Sequence, residues 1–147
     1  MAAELNRYNI DIAALCETRL ADEGSLSEIG EGYTFFWKGL QTDSRRIHGV
    51  GFAVRTTLLN RLTETPVAIS ERLMTLRIPL VKKRYMTLVC AYAPTLVADA
   101  AEKDLFYEDL RAILRRVPTT DKLFVLGDFN ARVGTDYHTW GDVIGTQ

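Results

Sequence analysis

Leu123, Phe124, Val125 and Leu126 run without a break into Gly127-Asp128-Phe129-Asn130. An apolar run of that length predicts a strand buried on both faces. Gly127 breaks it, and an acid and an amide follow two residues apart. In extended chain, residues two apart point to the same side. The pattern therefore offers Asp128 and Asn130 to one place at the C-terminal end of a strand, where open α/β sheets bind ligands. The same residues also suit a plain turn, because Asp and Asn hydrogen-bond their own backbone. The rest of the chain has to decide between a site and a turn.

Upstream, the clearest pattern is a hairpin. Met74, Leu76, Ile78 and Leu80 alternate with Thr75, Arg77 and Pro79, the period of a strand with one face inward. Val81-Lys82-Lys83-Arg84 connects it to Tyr85–Tyr92, which Pro94 brings to an end. Phe106, Leu110, Ile113, Leu114 and Val117 form one apolar stripe at helical spacing. That predicts a helix over 98–117. Acids crowd its start and arginines its end, as the helix dipole favours, and Pro118 stops it.

Earlier still, Ala2 to Tyr8 reads as the tail of a helix with Asn9 as its cap, and Ile10 to Cys16 as a strand ending at Glu17-Thr18-Arg19. Ser25 and Glu28 stand at capping-box spacing, which predicts a short helical turn over 25–29. Tyr33 to Lys38 is aromatic and strand-like. Gly49-Val50-Gly51 opens a strand to Arg55, followed by a linking segment to about residue 68. Strands outnumber helices, and one hairpin is antiparallel. A mixed α/β sheet follows, not a regular βαβ alternation.

The chain has 147 residues, 47% hydrophobic and 25% charged, with a net charge of −1. That is one domain's worth of ordinary globular sequence. No overall basic field announces nucleic acid, although a local patch can still bind it. Cys16 and Cys90 both lie in apolar runs and read as buried free thiols. No apolar run reaches the roughly 20 residues of a membrane helix, and Met1 is not followed by a secretory signal. No glycine-rich phosphate loop is present, so no small organic cofactor is expected.

Polar groups thus stand at three strand ends: Glu17, Tyr92, and the pair Asp128 and Asn130. Cys16-Glu17-Thr18-Arg19, Gly49-Val50-Gly51-Phe52-Ala53, Ala91-Tyr92-Ala93-Pro94 and Gly127-Asp128-Phe129-Asn130 form an ordered set. The set resembles the endonuclease/exonuclease/phosphatase superfamily. The stretch from Asp128 to Gly134, with Trp140 and Gly141-Asp142-Val143-Ile144-Gly145, is most similar to the endonuclease domains of non-LTR retrotransposons and the host proteins of craniofacial-development type derived from them.

The resemblance implies a four-layer α/β sandwich of the DNase-like type and metal-assisted phosphodiester hydrolysis, with DNA as the partner. It implies Mg2+, or Mn2+, held by Glu17. It implies that Asp128 orients or deprotonates the attacking water, that Asn130 holds that water or the phosphate, and that Tyr92 donates to a phosphate oxygen or fixes the geometry. Arg19, Arg45 and Arg46, and beyond them Lys82, Lys83 and Arg84, would supply phosphate contacts. A nuclear location follows only from the DNA substrate of the relatives. The family's opening strand and its closing Ser-Asp and catalytic histidine have no counterpart here, so residues 1–147 are expected to form a partial domain, about three-fifths of a typical one, with impaired activity. Neither His48 nor His138 stands in the context of that histidine, and both read as loop residues. Two alternatives remain open: a phosphatase acting on inositol phosphates or lipids, and a catalytically inactive relic or binding module.

Overall fold

The computed structural model describes residues 1–42 and 48–131. Two four-stranded sheets stack face to face. The first has the order β1-β4-β3-β2, all antiparallel, built from β1 (Ile12–Cys16), β2 (Glu23–Glu28), β3 (Tyr33–Lys38) and β4 (Val50–Arg55). The second has the order β5-β6-β7-β8, from β5 (Val67–Ser70), β6 (Leu73–Pro79), β7 (Tyr85–Tyr92) and β8 (Lys122–Asp128). In it β7 and β8 run parallel. Parallel neighbours need a crossover, and helix α3 (Ala100–Arg116) supplies it. Two short helices, α1 (Ala2–Arg7) and α2 (Thr56–Leu59), and a 3-10 turn at Val81–Lys83 complete the described elements. No helix among the described residues is long and apolar enough to cross a membrane.

The alternation in β6 and β7 explains the layering. Met74, Leu76, Ile78, Leu88, Cys90 and Tyr92 point inward and meet Val50, Phe52 and Val54 of the first sheet. Leu73, Val89 and Ala91 point outward, where Phe106, Leu110 and Ile113 of α3 cover them. Each fully buried Val, Leu, Ile, Phe or Met among them contributes about 1.5–3 kcal/mol. Asp99 caps α3, accepting from the Glu102 N–H at 2.7 Å. The sheets and α3 form the expected DNase-like α/β sandwich.

Three expectations need correction. The segment 25–29 is not a helical turn: it belongs to β2, which pairs with β3 from Glu23↔Lys38 to Glu28↔Tyr33. The Glu28 carboxylate instead accepts from the N–H groups of Gly30 and Glu31, closing the β2–β3 turn. The link to residue 68 holds α2 and the start of β5. Finally, β8 is not buried on both faces. Among the described residues, Leu123, Phe124 and Leu126 are 40%, 48% and 38% exposed, because there β8 is the edge of its sheet and Val125 alone of its side chains packs against the α3 layer.

One polar contact ties the edge down. Arg77 donates to Asp121 at 2.8 and 3.1 Å, and Thr87 adds a hydroxyl at 2.9 Å. These bonds, Arg77 first, lower the Asp121 pKa. A carboxyl whose pKa falls on folding contributes stability above its unfolded pKa and loses it as pH drops through the folded value. Asp121→Asn is therefore expected to lower the thermal midpoint at pH 7. The gap from wild type should shrink in melts below about pH 4; a constant gap would show that the charge is not what matters.

Candidate active site

Three strands end at one place. β1 stops at Cys16, β7 at Tyr92 and β8 at Asp128. The β7–β8 register sets Tyr92 beside Asp128. The approach of β1 to β7 and β8, within 8 Å between Cα atoms, brings Glu17 over from the other sheet. Tyr92 Oη donates to Glu17 Oε1 at 2.7 Å. Residues 75 positions apart, one from each sheet, thus form the centre of the site.

The local backbone is unusual there. Glu17, Arg19 and Asn130 have φ of 53°, 54° and 46°, in the left-handed region that side chains rarely occupy. Such conformations cost about 1–3 kcal/mol each and cluster at functional sites. The turn after β1 is held by Thr18 N–H to Gly49 O at 3.1 Å. Gly49 must be glycine, since a Cβ there would lie 2.2 Å from Thr18 Oγ1.

After β8 the chain turns rather than continuing extended. Asp128 Oδ1 accepts from the Asn130 N–H at 2.8 Å, and the Asn130 amide donates to Ala93 O at 2.8 Å. Asn130 therefore reaches the site through an Asx turn, not through strand alternation. The turn and the site are the same object.

Charge is arranged to suit an anionic Glu17. The bond from Tyr92, and then Arg19, lowers its pKa. Burial, and then the bond to Glu17, raises that of Tyr92. The shared proton thus stays on the phenol. Arg19 sits on the exposed side of Glu17, 3.3 Å from Oε2. Tyr92→Phe would remove the main cause of the Glu17 shift. Its pKa should rise, which an NMR titration of the Glu17 carboxyl reads; an unmoved titration would remove Tyr92 from that role. Below Glu17 the two thiols meet across the sandwich, Cys16 Sγ 3.6 Å from Ala91 O and Cys90 Sγ 3.4 Å from Leu15 O. Each thiol is the largest influence on the other: Cys90 lowers Cys16 to about 7, and Cys16, with burial, raises Cys90.

Could these residues hold a hard divalent cation? Glu17 is a half-exposed carboxylate with its charge secured, and the exposed Asp128 carboxylate lies beyond Tyr92. No group of three or more His, Cys, Asp or Glu converges among the described residues. A hard cation such as magnesium needs only one or two carboxylates and keeps waters and phosphate oxygens for the rest; Glu17, held by the Tyr92 hydroxyl, is a carboxylate of that kind.

Not every expected residue arrives. Lys82, Lys83 and Arg84 sit in the β6–β7 connection, at the far end of β7 from Tyr92, roughly 23 Å away along an extended strand. Arg45, Arg46, His138 and Trp140 lie outside the described residues. His48 is closer than its loop context suggests, its ring 6.2 Å from that of Tyr92. Two residues with no sequence signal also join the site. Arg72 lies under Tyr92, and Glu102 of α3 pairs with it.

The sequence comparisons bear on the chain as a whole. The endonuclease/exonuclease/phosphatase family matches over residues 1–144. Craniofacial development protein 2 of Tragulus javanicus and of Bos taurus are each 33% identical over 132 residues. That alignment takes in 90% of this chain but only 22% and 21% of those proteins, so the chain spans about a fifth of their length. A match over nearly the whole chain, on a stacked two-sheet fold whose strand ends converge on Glu17, Tyr92 and Asp128, is decisive: the chain belongs to the endonuclease/exonuclease/phosphatase family.

Proposed function

We propose that the chain is the part of a magnesium-dependent endonuclease that carries Glu17, Tyr92, Asp128 and Asn130, and that its substrate is the DNA backbone. The observation behind this reading is the convergence of three strand ends from two sheets on one acidic, phenol-buttressed spot. Glu17 would hold the metal, with Mn2+ able to replace Mg2+. When bound, the ion neutralises charge developing on the phosphate oxygens. Asp128 is exposed at the end of β8 and accepts the proton of the attacking water. Asn130 is anchored through its amide nitrogen, which leaves its amide oxygen to orient that water. Tyr92 keeps its single proton and donates it to Glu17, which holds that carboxylate in place. Arg19, beside Glu17, contacts the neighbouring phosphate. The choice of DNA rests on the likeness of the Asp128–Gly134 stretch to retrotransposon endonucleases.

The test is nicking of supercoiled plasmid by the purified chain, with magnesium or with EDTA, beside Asp128→Ala. Nicking that needs magnesium and drops by about 100-fold or more in the variant is expected. A folded chain that leaves plasmid intact but releases phosphate from inositol polyphosphates would be a phosphatase. One that does neither would be an inactive relic.

A further inference from the structure

Arg72 is the one charged residue among the buried described residues, 7% exposed. A buried charge is costly unless it is paired, so its partners show what it is for. The Glu102 carboxylate, on the first turn of α3, accepts from Arg72 Nη2. The same nitrogen lies 3.1 Å from His48 Nε2 and 3.4 Å from Nδ1. Nη1 donates to Tyr92 O at 3.2 Å. The guanidinium carbon stands 5.4 Å from the centre of the Tyr92 ring, a cation–π distance. The backbone completes the grip, with Tyr92 N–H donating to Arg72 O at 2.9 Å.

Arg72 therefore holds Tyr92 by its main chain and by its ring. A strut whose only task was to fasten α3 to the sheet would need Glu102 and no aromatic ring. The phenol so held ends on Glu17. We propose that Arg72, anchored by Glu102, is a positioning residue that fixes the Tyr92 phenol on Glu17. The catalytic part of this inference rests on the endonuclease reading of that pair; the positioning part does not. Arg72 touches no reacting atom. It acts by setting where the phenol and the carboxylate stand, and misplacement by about 1 Å can cost about 100-fold in rate. Lysine would keep the charge but lose the planar fork and its two-sided contact.

The experiment compares Arg72→Met, Arg72→Lys and Glu102→Gln with wild type in two ways. The first is kcat and KM for magnesium-dependent plasmid nicking. The second is the 19F NMR signal of Tyr92 in fluorotyrosine-labelled protein, identified among the 6 tyrosines by its absence in Tyr92→Phe. Arg72→Met should lower kcat by about 30- to 100-fold with KM changed less than about threefold. Its Tyr92 signal should move toward that of a mobile tyrosine while the others stay. Arg72→Lys and Glu102→Gln should fall in between. An unmoved signal and unchanged kcat in these variants, with only a lower melting temperature, would reduce Arg72 to a strut and overturn the proposal. If Arg72→Met does not fold, Glu102→Gln, which keeps the side-chain shape, decides. If wild type fails to nick, the endonuclease reading falls and the 19F signal alone decides the role of Arg72.

Discussion

Glu17→Gln is expected to lower magnesium-dependent nicking by about 100- to 1000-fold and to leave stability almost unchanged. The substitution keeps volume and shape and removes only charge. The amide oxygen still accepts from Tyr92 Oη, so the 2.7 Å bond survives. The left-handed backbone at φ 53° suits Gln no worse than Glu. The pair with Arg19 is solvent-exposed, 65% and 50% by side chain, and pairs of that kind contribute about 0–1 kcal/mol. A hard cation, however, binds an anionic oxygen far better than an amide oxygen. The loss should therefore appear first in the magnesium concentration needed for activity. The two readouts are a magnesium titration of nicking and a thermal melt. A variant that nicks normally at wild-type magnesium would move the metal site away from Glu17. A variant that melts far lower would show that Glu17 is structural and leave its activity loss uninterpretable. Separating charge from fold is the reason to choose Gln over Ala.

The prediction depends on a site that was only partly legible in the chain. The positions of Glu17, Tyr92 and Asp128 at strand ends were readable, because each apolar run gives way to Glu-Thr-Arg, Pro94 or Gly127, although Gly127 itself lies inside β8, paired with Ala91. The meeting of Glu17 with Tyr92 was not readable from periodicity, since it depends on how two sheets stack; the ordered motif set suggested it, and the 2.7 Å bond shows it. The capping-box pattern at Ser25 and Glu28 misled for a physical reason. β2 is an edge strand whose side chains are mostly exposed, so it carries no apolar alternation to compete with the local helix signal. β8 misled in the opposite direction, since an apolar run states what a strand prefers and not what covers it. Arg72 and Glu102 were invisible because an ion pair spanning 30 residues leaves no mark on local pattern. Long-range polar pairs are the part of a site that single-sequence reasoning reaches last.

Gly127→Ala is expected to be strongly destabilising. Gly127 has φ of 145°, a backbone region that side chains rarely adopt. A Cβ there would lie 1.8 Å from Ala91 O and 2.8 Å from Ala91 C. Both are backbone atoms of β7, which is paired on its two edges with β6 and β8 and covered by core on both faces. β7 therefore has nowhere to retreat, and the strain falls on the β7–β8 pairing. Left-handed strain of about 1–3 kcal/mol and overpacking of about 1–3 kcal/mol together give roughly 2–6 kcal/mol. Against a typical domain stability of about 5–15 kcal/mol that is a large fraction. The clash also sits one residue before Asp128. Relief by moving β8 would carry Asp128 away from Tyr92, so activity should fall even where the protein remains folded. Urea unfolding followed by circular dichroism, with nicking measured well below the transition, tests both parts. A midpoint shift together with lost activity is expected. A shift with full activity would mean that β8 yields without moving its end, and no shift would mean that the close approach at Ala91 relaxes freely. The glycine that marks the end of the strand in the sequence is thus the residue that lets β8 lie close enough to β7 to put its acid beside the phenol.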